Sequence, residues 1–530
     1  MIKITTILLI GLTLRLWGLN WDQGFHMHPD ERMLIMIADK INFFDNLNPD
    51  FFNYGTLPLY LLKALAQITD FFLFTQFSNY DGLLYLGRFM SVIADVTVIY
   101  LISLISKLLF KRRQLILWPA FLYAVAFFPI QNTHFFIVDV YLNLFSTLLI
   151  YLLLTFLIKP SFKKVFLISL VSGALLATKL TAVIFFILVI AVFFIKEKDN
   201  FKQFILNSIY FLIFTVMFHF IFMPYAYLSF GKFIESSLLQ SKMNSDPYIF
   251  PYTLQYVNTF PYLYYLKNIF IWGLGPVISA LGILGLIRVI REIRKNRQDK
   301  LILVIFVIFY FIYFLAIGQS AVKFMRYMLP LYPFLAVMAG YGLYNIKFLK
   351  IIKIIIVIGI IIWTVFFLNI YSYPNTRIQA TRWILDNIPI GSTLAIEHWD
   401  DRLPIFGNEK YNFVEMSLYE QPDDNLKWTS LKQRLAQADY IIIASNRLYV
   451  PLQKLADCSK YRSCYPQTAK YYDDLFNGRL GFKKTAEFTD YPTLGINIGS
   501  ANWRMKIADD NADESFTVYD HPKIMIFKRI

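Results

Sequence analysis

The chain has 530 residues, of which 57% are hydrophobic and only 16% charged, with a mean hydropathy of +0.50. Soluble domains carry about a quarter charged residues, so composition excludes an ordinary soluble enzyme and indicates a polytopic membrane protein. The net charge of +15 does not mark a nucleic-acid binder, because the basic residues fall in short runs between apolar segments, as cytoplasmic loops do.

Residues 1–19 form the first apolar segment, with Lys3 at its start. No small-x-small cleavage site follows it, which favours a retained helix over a signal peptide. The loop 20–87 comes next and is acid-rich, with Asp22, Asp30, Glu31, Asp39, Asp45, Asp50, Asp70 and Asp81. Within it, 55–74 is apolar but interrupted by Lys63, Gln67 and Asp70, which predicts an amphipathic helix lying on the membrane surface. Further apolar spans long enough to cross a bilayer cover 88–110, 115–131, 139–158, 203–223, 268–290, 301–317, 328–346 and 351–370. Between Lys164 and Lys196 an apolar stretch has basic residues at both ends, so it must go out and return. Each arm is then only about sixteen residues long, short for a crossing. The turn falls near Thr178-Lys179-Leu180-Thr181 and leaves Lys179 near or below the outer membrane surface, an expensive place for an ammonium group without a partner.

The basic runs all fall on one side of this arrangement: Lys111-Arg112-Arg113, then Lys163-Lys164, then Lys196 with Lys198 and Lys202, then Arg288 to Lys300 including Arg297. The positive-inside rule therefore predicts about eleven crossings, the N-terminus inside and the C-terminus outside. After residue 370 the composition becomes that of a soluble domain. A helix over 379–387 ends before Pro389, and strand-like runs follow at 393–397, 440–444 and 523–527. The expected organisation is an all-α membrane domain over 1–370 and a small extracytoplasmic α/β domain over 371–530. If that domain lies outside, its Cys458 and Cys464 can form a local disulfide.

Four features fall on the outer side of this topology. They are Asp30-Glu31; Gln131 to His134 followed by Asp139; Lys179 at the hairpin tip; and Lys323-Phe324-Met325-Arg326-Tyr327. A carboxylate can take a proton from an acceptor hydroxyl or amine, and lysine and arginine can hold a phosphate leaving group. The candidate catalytic residues are Asp30 and Glu31. The candidate substrate and donor-phosphate contacts are Lys179, Arg326, Tyr327, Asp139 and His134. Each feature also has a structural reading: a solvated loop for Asp30-Glu31, a helix N-cap for Asp139, snorkelling for Lys179, and headgroup anchoring for Lys323 and Arg326. His28 and Asp30, with His26 and His134 near them, are candidates for a divalent metal, although no fixed ligand spacing supports one.

Taken together these residues resemble the GT-C glycosyltransferases, and most closely the family 39 or protein O-mannosyltransferase-like branch that includes the aminoarabinose transferases. Arg326-Tyr327-Met328-Leu329-Pro330-Leu331-Tyr332-Pro333-Phe334-Leu335 looks like that group's late-helix signature, and Ala177-Thr178-Lys179-Leu180-Thr181 like its hairpin lysine. The resemblance covers roughly 1–370 as architecture. It implies that Asp30 is a general base beside the acceptor, that Glu31 matches the second residue of an acidic pair, and that Asp139 is a further acid of the second outer loop. It also implies a polyprenyl-phosphate-linked sugar donor, inversion at the anomeric carbon, and no nucleotide cofactor. It leaves metal dependence open. The acceptor would be a glycan, a lipid or a protein; the lack of a β-trefoil insert weighs against a protein. Two other classes compete. A transporter or lipid flippase usually shows internal repeats and ionisable groups at mid-membrane, and neither is evident. A structural or assembly protein would find Asp30 dispensable.

Overall fold

The computed structural model describes residues 3–110, 112–295, 300–346, 350–498 and 501–530. Lys111 and Arg297 of the basic runs, and Met1 and Ile2 of the first segment, lie outside the described residues. The chain divides into two compact units. The first takes in Met1–Asn20, His28–Lys242 and Phe260–Val365; the second Trp21–Met27, Met243–Thr259 and Phe366–Ile530.

The first unit is helical. Among the described residues, Tyr80–Leu109, Val138–Ile158, Leu180–Glu197, Phe201–Phe222, Leu301–Gly318 and the helix beginning at Lys350 are long and apolar enough to span a membrane. A seventh results if Arg113–Ala124 and Phe127–Thr133, bent by 56°, are taken as one span. The chain is therefore a multi-pass membrane protein. Its helices expose large apolar side chains such as Ile213, Val216, Ile355 and Ile358; on a bilayer-embedded bundle these face lipid, where only the backbone must be satisfied internally.

Several predicted crossings are shorter or more broken than an ideal helix. The first is Ile4–Leu16, only 13 residues. The hairpin arms are Phe162–Leu176, of 15 residues, and the span Leu180–Glu197, of 18. The 268–290 span opens with a π-helical turn at Ile269–Gly273, before Pro276–Lys295. The 328–346 span begins as a 3₁₀ turn over Met325–Leu331, and the α-helix proper is Tyr332–Tyr344. Pro330 and Pro333 explain that break, because each removes a backbone donor. The helix Phe230–Ser245 corresponds to no predicted element. Pro276–Lys295 and Tyr332–Tyr344 approach so closely that a Cβ on Gly285 would lie 1.8 Å from the Met338 carbonyl oxygen, and one on Gly342 2.1 Å from that of Leu281. Small residues allow such backbone contact between membrane helices.

A buried polar knot ties the first helix to the bundle. Arg15 donates from Nε to Asp95 Oδ2 at 2.7 Å and from Nη1 to the carbonyls of Gly11 and Ala124, each at 3.0 Å. Tyr123 Oη donates to Asp95 Oδ1 at 2.5 Å, and Asn143 Nδ2 donates to Tyr123 Oη at 2.7 Å. The Ala124 carbonyl is freed by the bend that separates Arg113–Ala124 from Phe127–Thr133, so the guanidinium caps a broken helix. Arg15 is fully buried and Asp95 nearly so. Removing one partner leaves an uncompensated charge inside the bundle, so Asp95→Ala should destabilise the membrane unit by about 3–5 kcal/mol. Thermal unfolding in detergent checks this, with the double change Arg15→Met/Asp95→Leu expected to recover much of the loss.

The second unit is built on a mixed sheet. Its strands are β1 (Thr393–Glu397), β2 (Asn412–Met416), β3 (Tyr440–Ile443), β4 (Phe482–Phe488), β5 (Thr493–Ile498), β6 (Ala501–Lys506) and β7 (Ile524–Arg529). Five of them form one sheet in the order β2-β1-β3-β7-β4, while β5 and β6 make a separate hairpin. β1 runs parallel to β2 and β3, and β7 runs antiparallel to β3 and β4. Alternate residues feed two cores. Leu394, Tyr440, Ile442, Ile524 and Ile526 pack with Ala380 and Ile384 of the helix Thr376–Asn387. Ala395, Ile441, Met525 and Phe527 pack on the other face with Trp428, Leu431 and Tyr472. Both faces are covered, which is why the strands read as continuous apolar runs. Cys458 and Cys464 form a disulfide. The early segments join this unit through specific contacts: Gln255 Nε2 donates to Glu514 Oε2 at 2.9 Å, and Phe25 stacks on Phe406.

At the end of β1, Glu397 is buried, accepts a 2.5 Å hydrogen bond from Tyr472 Oη, and has no partner for Oε2 among the described residues. Burial raises its pKa from 4.5 to about 8. Between those two values the unfolded chain is ionised while the folded chain keeps the proton, so stability falls as pH rises from 4.5 and levels off above 8. Glu397→Gln keeps the bond and removes the titration. At pH 8 it should raise the melting point of this unit by at least about 2–4 °C, roughly 1 kcal/mol for a domain of this size, and at pH 4 it should change little.

Candidate active site

Pro29 opens the helix Pro29–Lys40, and His28 caps it: Nδ1 accepts from the Glu31 backbone N–H at 3.3 Å. Asp30 and Glu31 both lie in the first turn, where the helix dipole favours carboxylates. Neighbouring helical residues do not share a face, and the two acids part company. Glu31 is fully buried. It accepts from Arg88 Nε at 3.0 Å and Nη2 at 2.7 Å, and from the Phe136 backbone N–H at 2.7 Å. Its carboxylate ties three segments of the first unit together, away from the side of the helix on which Asp30 lies.

Asp30 faces the other way and pairs with Arg326 Nη2 at 2.6 Å. Arg326 Nε lies 3.6 Å from Asp139 Oδ2, and Asp139 Oδ1 accepts from Lys179 Nζ at 2.8 Å. Four charges from four segments thus alternate in a chain: Asp30, Arg326, Asp139, Lys179. Lys179 Nζ also sits 4.1 Å from the centre of the Tyr327 ring, and Arg326 Cζ 4.5 Å from that of Phe324. The side chains of Asp139, Arg326 and Lys179 are 3%, 8% and 14% exposed, and that of Asp30 is 23%. Asp30 is the acid of this set that an incoming molecule can reach.

The N-cap of Val138–Ile158 is Ile137, and Asp139, in the first turn, spends its carboxylate on Lys179 and Arg326. Lys179 and Arg326 are both turned into the cluster of carboxylates. His134 lies elsewhere: its Nδ1 is 2.9 Å from the Ile130 carbonyl oxygen and its Nε2 2.8 Å from that of Trp17. Both ring nitrogens thus lie against backbone carbonyl oxygens. Among the described residues no three His, Cys, Asp or Glu side chains are grouped to hold a metal. His28 Nδ1 accepts the helix-capping bond from the Glu31 N–H.

Tyr54 and Gly55 belong to the site, although sequence reasoning passed over them. The Gly55 N–H donates to the Thr178 carbonyl at 3.1 Å and the Leu57 N–H to that of Ala177 at 3.0 Å. This short backbone pairing sets Tyr54 and Lys179 on adjoining strands of chain. A Cβ on Gly55 would lie 2.0 Å from the Ala177 carbonyl oxygen, so only glycine permits the approach. Burial, reinforced by the nearby Asp30 carboxylate, pushes the Tyr54 hydroxyl well above its usual range. Tyr54 therefore stays a hydrogen-bond donor at any physiological pH. Gly55→Ala should separate the pairing, displace Lys179 from Asp139, and lower kcat by about tenfold or more through misplacement of the cluster. Kinetics of a variant that still melts near wild type would check it.

Before any substrate arrives the cluster is electrically balanced, two carboxylates against two cations. An anionic group entering it must draw Arg326 or Lys179 from a carboxylate.

No protein-family model and no curated protein matches the sequence. Solved structures do. The oligosaccharyltransferase AglB of Archaeoglobus fulgidus, in complex with an inhibitory peptide and a dolichol-phosphate, superposes with a TM-score of 0.51 at 11% identity, over 96% of this chain and 74% of that one. Its apo form gives the same values. ArnT of Cupriavidus metallidurans bound to undecaprenyl phosphate gives a TM-score of 0.48 at 12% identity, over 85% of this chain and 94% of that one. At 11% identity the likeness to AglB is one of fold alone. The chain has the GT-C fold.

Proposed function

We propose that this chain is a membrane glycosyltransferase that moves a sugar from a polyprenyl-phosphate donor to an acceptor at the outer face of the cytoplasmic membrane. The observation that carries the reading is the alternating chain Asp30–Arg326–Asp139–Lys179. Asp30 takes the proton from the acceptor hydroxyl or amine as that atom attacks the anomeric carbon. The bond from that carbon to the phosphate oxygen breaks on the opposite side, so configuration inverts and the electron pair leaves with the lipid phosphate. Arg326 and Lys179 turn to the departing phosphate and stabilise its charge. Tyr54 donates a hydrogen bond to the same group, and Asp139 holds the two cations in register.

The topology belongs to the same proposal: about eleven crossings, the basic loops inside, and the domain over 371–530 outside. The Cys458–Cys464 disulfide supports an oxidising compartment for that domain. The solved AglB structure holds a dolichol-phosphate, the lipid class this reading requires. Purified protein in detergent, given a panel of polyprenyl-phosphate sugars and a membrane-lipid or glycan extract as acceptor, should transfer sugar from at least one. Transfer from nucleotide sugars alone would refute the donor class, and movement of lipid without transfer would establish the transporter reading instead.

A further inference from the structure

Arg326 lies in the 3₁₀ turn Met325–Leu331, and Lys179 immediately precedes the 3₁₀ turn Leu180–Val183. Such turns have poorer hydrogen-bond geometry than an α-helix, so neither cation is fixed by its own backbone alone. In the first turn the ladder is also incomplete. Pro330 stands three residues after Tyr327 and has no N–H to close the i→i+3 bond on the Tyr327 carbonyl. Tyr313, on the helix Leu301–Gly318, donates from Oη to that carbonyl at 2.5 Å.

The same side chain reaches the segment that carries Lys179. The Tyr313 ring stacks on Phe185, six residues after Lys179, with centroids 5.3 Å apart and an interplanar angle of 8°. Phe185 also stacks on Phe309, one turn earlier on the Tyr313 helix, at 4.8 Å and 7°. All three rings are buried. Lys179 Nζ in turn lies 4.1 Å from the centre of the Tyr327 ring. The contacts close on themselves: the Tyr313 hydroxyl to the Tyr327 carbonyl, the Tyr327 ring to Lys179, and Phe185, further along the Lys179 segment, back to the Tyr313 ring. Closely packed rings have little room to shift, so Tyr313 fixes one cation-bearing segment against the other.

We propose that, on the transferase reading of the Asp30 cluster, Tyr313 is a positioning residue. Its hydroxyl and its ring together set the separation of Arg326 and Lys179, so that both cations meet the departing lipid phosphate at once. Tyr313 acts through the two segments it joins, not by contact with the sugar or the phosphate.

The test uses the full chain in detergent. Tyr313→Phe removes one oxygen and keeps the ring on Phe185, so the variant should fold and melt close to wild type. Its kcat for transfer from a polyprenyl-phosphate sugar should fall about tenfold through misplacement of the cations, with the acceptor KM held within about twofold. Tyr310→Phe, which removes a buried hydroxyl of the same helix that makes no hydrogen bond among the described residues, should keep the wild-type kcat. A positioning role also requires coupling. In an Arg326→Ala background Tyr313→Phe should cost less than about threefold, whereas general damage to the bundle would cost the same factor in both backgrounds. The proposal is overturned if Tyr313→Phe transfers at the wild-type rate, or if its loss is equal in the two backgrounds. If wild type transfers no sugar from any donor, the transferase reading fails by itself, and the same cycle read as affinity for farnesyl phosphate decides on Tyr313. If wild type also fails to bind farnesyl phosphate, both fall.

Discussion

Asp30→Asn is expected to lower kcat for sugar transfer by about 10²–10⁴-fold, the range for loss of a positioned general base. Asparagine has nearly the same shape and can still accept a hydrogen bond from Arg326, whose Nη2 lies 2.6 Å from Asp30 Oδ2. Donor binding should change little, and the loss should appear in kcat rather than in KM. The neighbouring acid supplies the contrast. Glu31 spends both carboxylate oxygens on the buried guanidinium of Arg88, so Glu31→Gln should act on stability and yield, with the kcat of the folded fraction far less affected. Single-turnover transfer assays beside melting curves separate the two outcomes. If Asp30→Asn and Glu31→Gln lose activity alike without loss of stability, the division of labour drawn between them is wrong.

Arg326→Ala should cost about 10²–10³ in kcat, the scale of removing one preorganised donor from a developing negative charge. The guanidinium reaches Asp30 through Nη2 and Asp139 through Nε, so its loss also leaves two acids facing each other without the cation between them. Arg326→Lys should recover only part of the rate. A point charge on a flexible stem cannot span both carboxylates as a planar fork does. Full activity in Arg326→Lys would show that charge alone matters and that the fork geometry does not.

Much of the architecture was legible because apolar length and basic loops are coarse signals that survive any detail of packing. The strands at 393–397 and 440–444 were equally readable, since both faces of the sheet are buried and the runs are uninterrupted. The gathering of Asp30, Asp139, Lys179 and Arg326 could be anticipated from side-of-membrane reasoning, since ionisable groups placed on one face of a bundle seek one another. What that reasoning lacked was direction. It could not tell that two consecutive acids would point apart, that His134 would give both ring nitrogens to carbonyls, or that Arg15, inside the first apolar segment, would find Asp95 eighty residues on. Tyr54 and Gly55 were illegible for a related reason. Their role depends on a backbone pairing with Ala177 and Thr178, and no periodicity or composition marks such a contact. The helix Phe230–Ser245 was passed over because its polar residues, among them Lys232, Glu235 and Gln240, hide it from a search for apolar spans.

The central claim is that a lipid phosphate is the leaving group and that the sugar inverts as it departs. The direct measurement is a product analysis of wild-type protein supplied with a polyprenyl-phosphate sugar of known anomeric configuration. One free polyprenyl phosphate is expected per sugar transferred, with the product in the opposite anomeric configuration. Release of the lipid phosphate without transfer, or a product that retains the donor's configuration, would contradict it.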